Sequence, residues 1–522
     1  MRTRAETALV ETIAETSPDS VYPVLSRAAA ETLAKKVMML GEDRGATEVH
    51  IEHSRLTVTR IANGRILTMD DGDTLTIRFD LGSGDGFGVP ITLGTNQVND
   101  ALLEHVVNNA QATYGHKPIR PEDREPEEDL QDPLRTRYGP RTFLPVSLWH
   151  DTTVEAMRAG QAALLPEVVR QTSAENLQCV ATVGLAARST LYMYKPGLTA
   201  YGRETDCEVT MTARTPDYRG SGWNGVAHRD WSAIQPATVA RHAIDIANRS
   251  RNIQAVEPGR RTAILGPGAV AQLVRAMAPL FWSYTSENPQ RDGPFSEPLE
   301  SGRSSKIGKQ VVDPRITMFS DPQDPDGGYL PFLEMGNDLF FNATPGAPVA
   351  KVDWIRDGVL MNLVRDLVDA ERRKVPFADF PWSMHVRSSG VTTTIDEMIA
   401  NCKDGVYVNR FSDVDVLAQS SHRLTGVTRD GCFLIRNGKI DRAIKNFRFV
   451  ELPLAAFNRV EAIGTPVRVP FGTQNVKVPP SLGLWKFPQL PMGQQTRWPR
   501  LPVIVPPMMI RDFNFSALID AA

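Results

Sequence analysis

The 522-residue chain has few cysteines and no long apolar run. Its four cysteines are far apart and form no C-x-x-C pair: Cys179, Cys207, Cys402 and Cys432. Such sparse thiols favour small buried side chains in a reducing compartment over a disulfide framework. No stretch approaches the roughly 20 consecutive apolar residues that a transmembrane helix needs, so we expect no membrane span.

The N-terminus also lacks the pattern of a secretion signal. Arg2 and Arg4 are followed by mixed polar and acidic residues rather than by an apolar segment, which predicts a cytoplasmic protein. The net charge is −3, so no overall basic field argues for a nucleic-acid partner.

Common catalytic motifs are missing. The sequence has no G-x-S-x-G elbow and no P-loop, and the glycine series at 82–88 lacks the helix entry of a dinucleotide site. Among nine histidines only His50 and His53 are close in sequence, and on a strand their side chains point to opposite faces. A metal held by distant residues, or a Cys432–His422 nucleophile pair, remains an open alternative.

The elements that are present predict a mixed α/β (α+β) fold. We expect an N-terminal α/β domain over residues 1–257, a strand-rich C-terminal domain over 258–463, and a proline-rich extended segment over 464–522. The N-terminal domain is predicted to hold helices over 26–40, 95–111 and 237–251, and a hairpin at Asn63-Gly64. The polar block 215–233 is interpreted as a loop.

The final segment is unusual in combining prolines with large apolar side chains. Ten of the 38 prolines lie between Pro466 and Pro507, which disfavours helices and central strands. The same segment is too apolar for a solvated tail. It is predicted to bury itself against its own C-terminal domain, against a partner, or against both.

The run DGVYVNRF (404–411) is followed by LTGVTRDGCFLIRNGKIDRAIKN (424–446). These two runs are the most specific of several stretches that resemble, in the same order, the TldD/PmbA family of intracellular peptidases. AILGPGAVAQLV (263–274) is similar to the strand–proline–helix unit that opens the family's C-terminal domain, and SGRSSKIGKQVVDPRITMFSDPQDPDG (301–327) resembles the family's next loop and strand. The N-terminal hairpin and the TNQ helix start (95–97) also match.

The resemblance implies a zinc-binding helix that this chain lacks. Catalytic members carry H-E-x-x-x-H, in which two histidines hold zinc and the glutamate acts as general base, and a later cysteine completes the site. Here Arg275, Ala276 and Leu280 occupy the three motif positions, and the stretch 460–472 contains no cysteine. None of the three side chains can ligate zinc. No metal ligand or cofactor is therefore expected in this chain.

The resemblance further implies a role as the non-catalytic PmbA/TldE-like subunit, paired with a zinc-bearing TldD-like subunit to cut unstructured peptides. The alternative is a subunit of a specialised pair that processes a peptide-like metabolite, and a third possibility is a stand-alone binding protein. The resemblance suggests a set of chamber-lining polar residues: Arg303, Ser304, Asp321, His385, Arg387, Arg429 and Asp430.

Overall fold

The computed structural model describes residues 23–41, 48–79, 89–93, 99–105, 107, 142–159, 172, 175–195, 197–281, 286–287, 293–299, 302–332, 346–365, 370, 372–378, 381, 383–418, 421–470 and 503–519. In chain order, its main helices and strands are α1 (Arg27–Leu40), β1 (Glu48–Ala62), β2 (Arg65–Phe79), β3 (Val89–Leu93), α2 (Asp151–Ala159), β4 (Gln178–Tyr194), β5 (Leu198–Arg214), β6 (Ser221–His228), α3 (Pro236–Arg249), β7 (Gly259–Leu265), α4 (Pro267–Met277), β8 (Ser296–Leu299), β9 (Gly302–Ser305), β10 (Ile316–Ser320), β11 (Val352–Arg356), β12 (Val359–Leu360), β13 (Met384–Ser388), α5 (Ile395–Asn401), β14 (Asp404–Ala418), β15 (Arg423–Arg436), β16 (Lys439–Ala443), β17 (Phe447–Glu451), α6 (Pro453–Phe457), β18 (Val460–Ile463), β19 (Val467–Val469), β20 (Val503–Val505) and β21 (Met508–Leu518). The predicted mixed α/β class is confirmed.

Sheet 1 is antiparallel, with strand order β3-β2-β1-β4-β5-β6. The turn between β1 and β2 places Asn63 and Gly64 at φ 46° and 79°, as the Asn-Gly pair predicts. Helix α1 begins at the N-cap Ser26, whose hydroxyl accepts from the backbone N–H of Ala29. Helices α1 and α3 pack on the face of the sheet that carries the odd-numbered side chains of β1 and β4.

The region interpreted as a loop, 215–233, contains strand β6 instead. Its polar composition suggested a loop, but β6 pairs with β5 along its whole length. The tertiary reason is close packing, because a Cβ at Gly222 would collide with the backbone of α3 at Ala243 and Ala247. The glycine therefore allows a helix to approach the edge strand.

The later strands form two further sheets. Sheet 2 has the order β12-β11-β10-β13-β20-β19, with β13 and β20 parallel. Sheet 3 has the order β14-β7-β21-β17-β15-β16, and an additional pairing of β14 with β15 closes five of its strands into a ring. Helix α4 packs in the same apolar core as both sheets, and that core includes Phe411, Phe449 and Phe513.

The end of the chain is partly built into these sheets. The prolines predicted an extended segment from residue 464 onward, yet β19 and β20 join sheet 2 and β21 lies in the middle of sheet 3. Phe513 and Phe515 of β21 are fully buried. Prolines at 506 and 507 fall between two strands, where a missing N–H costs little. Residues 471–502, which hold six of the prolines, lie outside the described residues.

Candidate functional site

Helix α4 carries the three positions at which the zinc motif was expected. Pro267 comes directly after the N-cap Gly266 and begins the helix, which ends at Met277 and continues as a 3-10 turn over Ala278–Phe281. The winding therefore changes between the second and third motif positions, Ala276 and Leu280. After this change of winding, Leu280 lies in the apolar core, and only 2% of its surface is exposed. Ala276 is half-buried against the same core.

Arg275 contacts a part of the chain that is distant in sequence. Its Nη2 donates to the backbone carbonyl of Pro470, with the two atoms 3.4 Å apart. Burial lowers the pKa of Arg275 to about 10, and the negative charge of Glu208 on β5 opposes that decrease. The side chain at the first motif position thus contacts the stretch in which the family's cysteine is expected.

The residues at these positions do not fit zinc. A guanidinium has no lone pair to donate, and Ala276 and Leu280 carry no donor atom. Across the part of the chain that the structure describes, no group of three or more His, Cys, Asp or Glu side chains is arranged to hold a metal ion. No catalytic step through zinc can be assigned to these residues.

The dominant electrostatic feature is a row of three carboxylates on one face of β5. Glu204, Asp206 and Glu208 alternate along the strand and point away from helices α1 and α3. Arginines from separate elements meet this row. Arg229 contacts Glu204 at 3.1 Å, and Arg188 from the adjacent strand binds the same carboxylate.

Arg468 on β19 meets the middle of the row, with its Nη2 2.6 Å from Asp206 Oδ2. Burial raises the pKa of Asp206, while Arg468 and Arg229 act to lower it. Burial also lowers the pKa of the neighbouring His228, and Arg468 adds to this effect. We call this set of ion pairs the β5 charge row.

A second polar group lies on the face of sheet 2 that continues from Arg468. His385 on β13 is paired with Phe319 on β10, and their rings stack with centroids 4.7 Å apart. His385 Nδ1 lies 2.6 Å from Asp324 Oδ2. Burial opposes ionisation of Asp324, but hydrogen bonds from His385 and from the backbone N–H groups of Gly327 and Asp326 lower its pKa.

Two cationic side chains also approach the Phe319 ring. Arg387 Cζ is 5.2 Å from the Phe319 centroid, and Lys351 Nζ is 4.8 Å from it. We call Lys351, His385 and Arg387 the Phe319 cation cluster. Asp321, which was also predicted from the sequence, comes directly after β10. Its carboxylate accepts a hydrogen bond from the backbone N–H of Gln323 at 2.9 Å and so stabilises the turn that follows the strand.

The other sequence candidates lie elsewhere. Arg303 and Ser304 are on β9 of the small β8–β9 hairpin, where Ser304 Oγ donates to Glu297 at 3.2 Å. Arg429 is half-buried on β15. Asp430 is fully buried and binds Arg410, whose guanidinium stacks 5.1 Å above the ring of Trp223. The structure therefore joins Asp321, His385 and Arg387 in one region and separates them from these four.

The β5 charge row and Lys351 of the Phe319 cation cluster were not among the residues predicted from the sequence. The ETDCE pattern at 204–208 was a usable signal, because alternating acids on an apolar strand require partners. By contrast, the approach of Lys351 and Arg387 to one ring depends on strand register across three strands, and no local pattern encodes it.

The family assignment rests on a comparison with family models. Residues 258–517 match the PmbA/TldA metallopeptidase C-terminal domain. This chain belongs to the TldD/PmbA family. The matched range includes helix α4, the strands of sheets 2 and 3, and both Arg387 and Arg468. No curated protein matches the sequence.

Solved structures share the fold of this TldD/PmbA family member across nearly the whole chain. TldE from Thermococcus kodakarensis has a TM-score of 0.66 at 13% identity, covering 93% of this chain and 99% of that one. A candidate modulator of DNA gyrase from Bacteroides thetaiotaomicron has a TM-score of 0.67 at 15% identity, covering 94% and 100%. Another from Thermotoga maritima has a TM-score of 0.65 at 14% identity, covering 92% and 98%.

Together these features define what the site can do chemically. The β5 charge row holds strands of sheets 1 and 2 together through buried ion pairs. The Phe319 cation cluster places hydrogen-bond donors and positive charge on the surface of sheet 2.

Among the described residues, no helix could span a membrane.

Proposed function

We propose that this chain is the non-catalytic, PmbA/TldE-like subunit of a cytoplasmic heterodimer of the TldD/TldE type. Its partner is a TldD-like subunit that holds the zinc, and the pair cleaves unstructured peptides. The observation that carries the proposal is Arg275, which interacts electrostatically with Glu208 and contacts Pro470 in the stretch where a catalytic member is expected to carry its zinc-binding cysteine.

The physical argument concerns charge and lone pairs. A guanidinium can balance the charge of Glu208 as a metal ion would, but it cannot bind and activate a water molecule. Hydrolysis of a peptide bond requires an activated nucleophile and stabilisation of the tetrahedral oxyanion. In the proposed pair the partner supplies the nucleophile, and this chain supplies binding surface and stability.

The test is reconstitution with a TldD-like subunit that has an intact H-E-x-x-x-H motif. Each subunit alone and the mixture are incubated with unfolded peptides, and zinc is measured in each sample. We expect a stable complex, with chelator-sensitive cleavage and zinc that require the partner. The control replaces the glutamate of the partner's motif by glutamine, which should abolish cleavage but preserve pairing.

Two results would contradict the proposal. One is chelator-sensitive cleavage by this chain alone, and the other is stoichiometric zinc in this chain that is lost when one or two of its histidines are changed. Cleavage of one peptide-like metabolite, with no action on unfolded peptides, would favour a specialised pair.

A further inference from the structure

Among the described residues, the Phe319 cation cluster has more positive charge than the neighbouring carboxylates neutralise. Arg387 is exposed and forms no ion pair with any residue that the structure describes. Lys351 lies 4.0 Å from Asp353, but Asp353 already accepts from Arg356 Nε at 3.0 Å. The Asp353 carboxylate is therefore shared by two cations, Lys351 and Arg356. Among the described residues, Arg387 has no carboxylate partner.

Strand register explains why these groups share one surface. Phe319 on β10 is opposite His385 on β13, and Arg387, two residues along β13, is on the same face. On the other flank Phe319 is opposite Asp353 of β11, and Lys351 is two residues before it. His385 and Arg387 therefore reach the ring from β13, and Lys351 reaches it from the residue just before β11.

His385 is oriented for a ligand by Asp324. The Asp324 carboxylate receives two backbone N–H groups and is held ionised, so it accepts a hydrogen bond from His385 Nδ1–H. The other ring nitrogen, Nε2, has no hydrogen-bond partner among the described residues. When the imidazole is protonated, Nε2–H becomes a charge-assisted donor whose direction is fixed by stacking on Phe319.

We propose that Lys351, His385 and Arg387 form a binding site for the free α-carboxylate of a peptide. This inference rests on the proposed function and specifies how the chain holds its substrate. A carboxylate is planar and matches the fork of the Arg387 guanidinium, while Lys351 adds a mobile ammonium and the protonated form of His385 adds a directed N–H. The nearly buried Phe319 ring excludes water beneath the ligand and so strengthens these contacts.

The experiment compares two forms of one probe on the full chain without its partner. The probe is a flexible ten-residue peptide with an N-terminal fluorophore, prepared with a free C-terminus and as the C-terminal amide. Binding is measured by fluorescence anisotropy at low salt. We expect the free acid to bind about tenfold or more tightly than the amide, as one charge-assisted contact network would give.

Variants locate the effect. Arg387→Gln and Lys351→Gln should each reduce the preference for the free acid several-fold, and the double variant should abolish it. The matched controls are Arg423→Gln and Lys439→Gln, which remove the same charges from exposed positions of sheet 3 and should leave the preference unchanged. Equal binding of acid and amide by the unmodified chain would overturn the inference.

A competition experiment tests whether the site prefers a carboxylate or binds any anion. Acetate and inorganic phosphate are added as competitors at equal ionic strength. Displacement by phosphate but not by acetate would overturn the assignment to a carboxylate. The proposed function fails separately, because pairing and cleavage are measured on the complex, whereas the acid-to-amide ratio is measured on this chain alone.

Discussion

Arg468 on β19 and Asp206 on β5 join two sheets through one ion pair, with 2.6 Å between Nη2 and Oδ2. Both side chains are largely buried, at 7% and 13% exposed. Because neither charge is fully hydrated, each depends on the other. A buried ion pair adds little net stability compared with apolar residues in the same places. Removal of one partner alone is costly, because the other charge stays buried and unpaired.

Arg468→Ala should therefore lower the free energy of unfolding by about 3–5 kcal/mol at neutral pH, because it leaves Asp206 buried and unpaired. Chemical denaturation followed by tryptophan fluorescence measures the change. The double variant Arg468→Met with Asp206→Leu should recover most of the loss. A loss of under about 1 kcal/mol for the single variant would show that the pair is solvated in solution.

The stability loss of Arg468→Ala should depend on pH. Burial raises the pKa of Asp206 in the folded state, so the stabilising protonated form is present at low pH and is lost as pH rises through the folded pKa. Removing Arg468 removes the main opposing charge and raises that pKa further. The loss in free energy of unfolding caused by Arg468→Ala should thus be smallest in acid and should grow toward neutral pH.

Asp230 should show the opposite dependence on pH. Hydrogen bonds from Thr152 and Ser232 lower its pKa from 3.8 to about 2. The stabilisation from the ionised form is present above the unfolded pKa and is lost as pH falls through about 2. Asp230→Ala should cost about 1 kcal/mol near pH 6, since Asp230 also caps the turn at Trp231–Ala233.

The control for Asp230 is Asp441→Ala, at a partly exposed position of sheet 3 that should change stability little at any pH. Thermal unfolding from near-neutral to acid pH tests the prediction. A constant difference between wild type and Asp230→Ala across this range would contradict the linkage argument.

Restoring the zinc motif should not restore a zinc site. In the triple variant Arg275→His, Ala276→Glu, Leu280→His, the third change places an imidazole in the core position of Leu280. We expect Leu280→His alone to lower the free energy of unfolding by about 3 kcal/mol or more, and the triple variant to bind less than one zinc per chain. Metal analysis after dialysis, with Ala276→Glu alone as the comparison, tests this. Stoichiometric zinc in a folded triple variant would show that the 3-10 turn rewinds.

The C-terminal segment should divide into two parts with different roles. Truncation after Gly464 removes β21 with its buried Phe513 and Phe515, so we expect an unfolded or aggregated chain. Val469 and Val503 are paired across β19 and β20, so a four-residue Gly/Ser linker can replace residues 471–501. We expect that deletion to fold.

Pull-down of the TldD-like partner with the internal deletion then tests the contact hypothesis for those residues. Loss of pairing in a folded deletion variant supports a contact. Unchanged pairing would show that residues 471–501 are not needed for the heterodimer.

The sequence alone determined those elements that are specified by neighbouring residues. The Asn63-Gly64 turn and helix α1 form where propensity and periodicity predicted them. The family resemblance also came from the sequence, as did the absence of donor atoms that could bind zinc at Arg275, Ala276 and Leu280. These features depend on residue type and short spacing, which a single chain displays directly.

Only the tertiary structure decided which distant residues meet. Strand β6 forms in a glycine-rich stretch because β5 and α3 provide its partners, and β21 forms beside prolines because sheet 3 has a central place for it. Arg468 and Asp206 are 262 residues apart in sequence, and their pairing depends on the packing of sheet 2 against sheet 1. Burial then gives these charges their energetic weight, since the same side chains in water would contribute almost nothing.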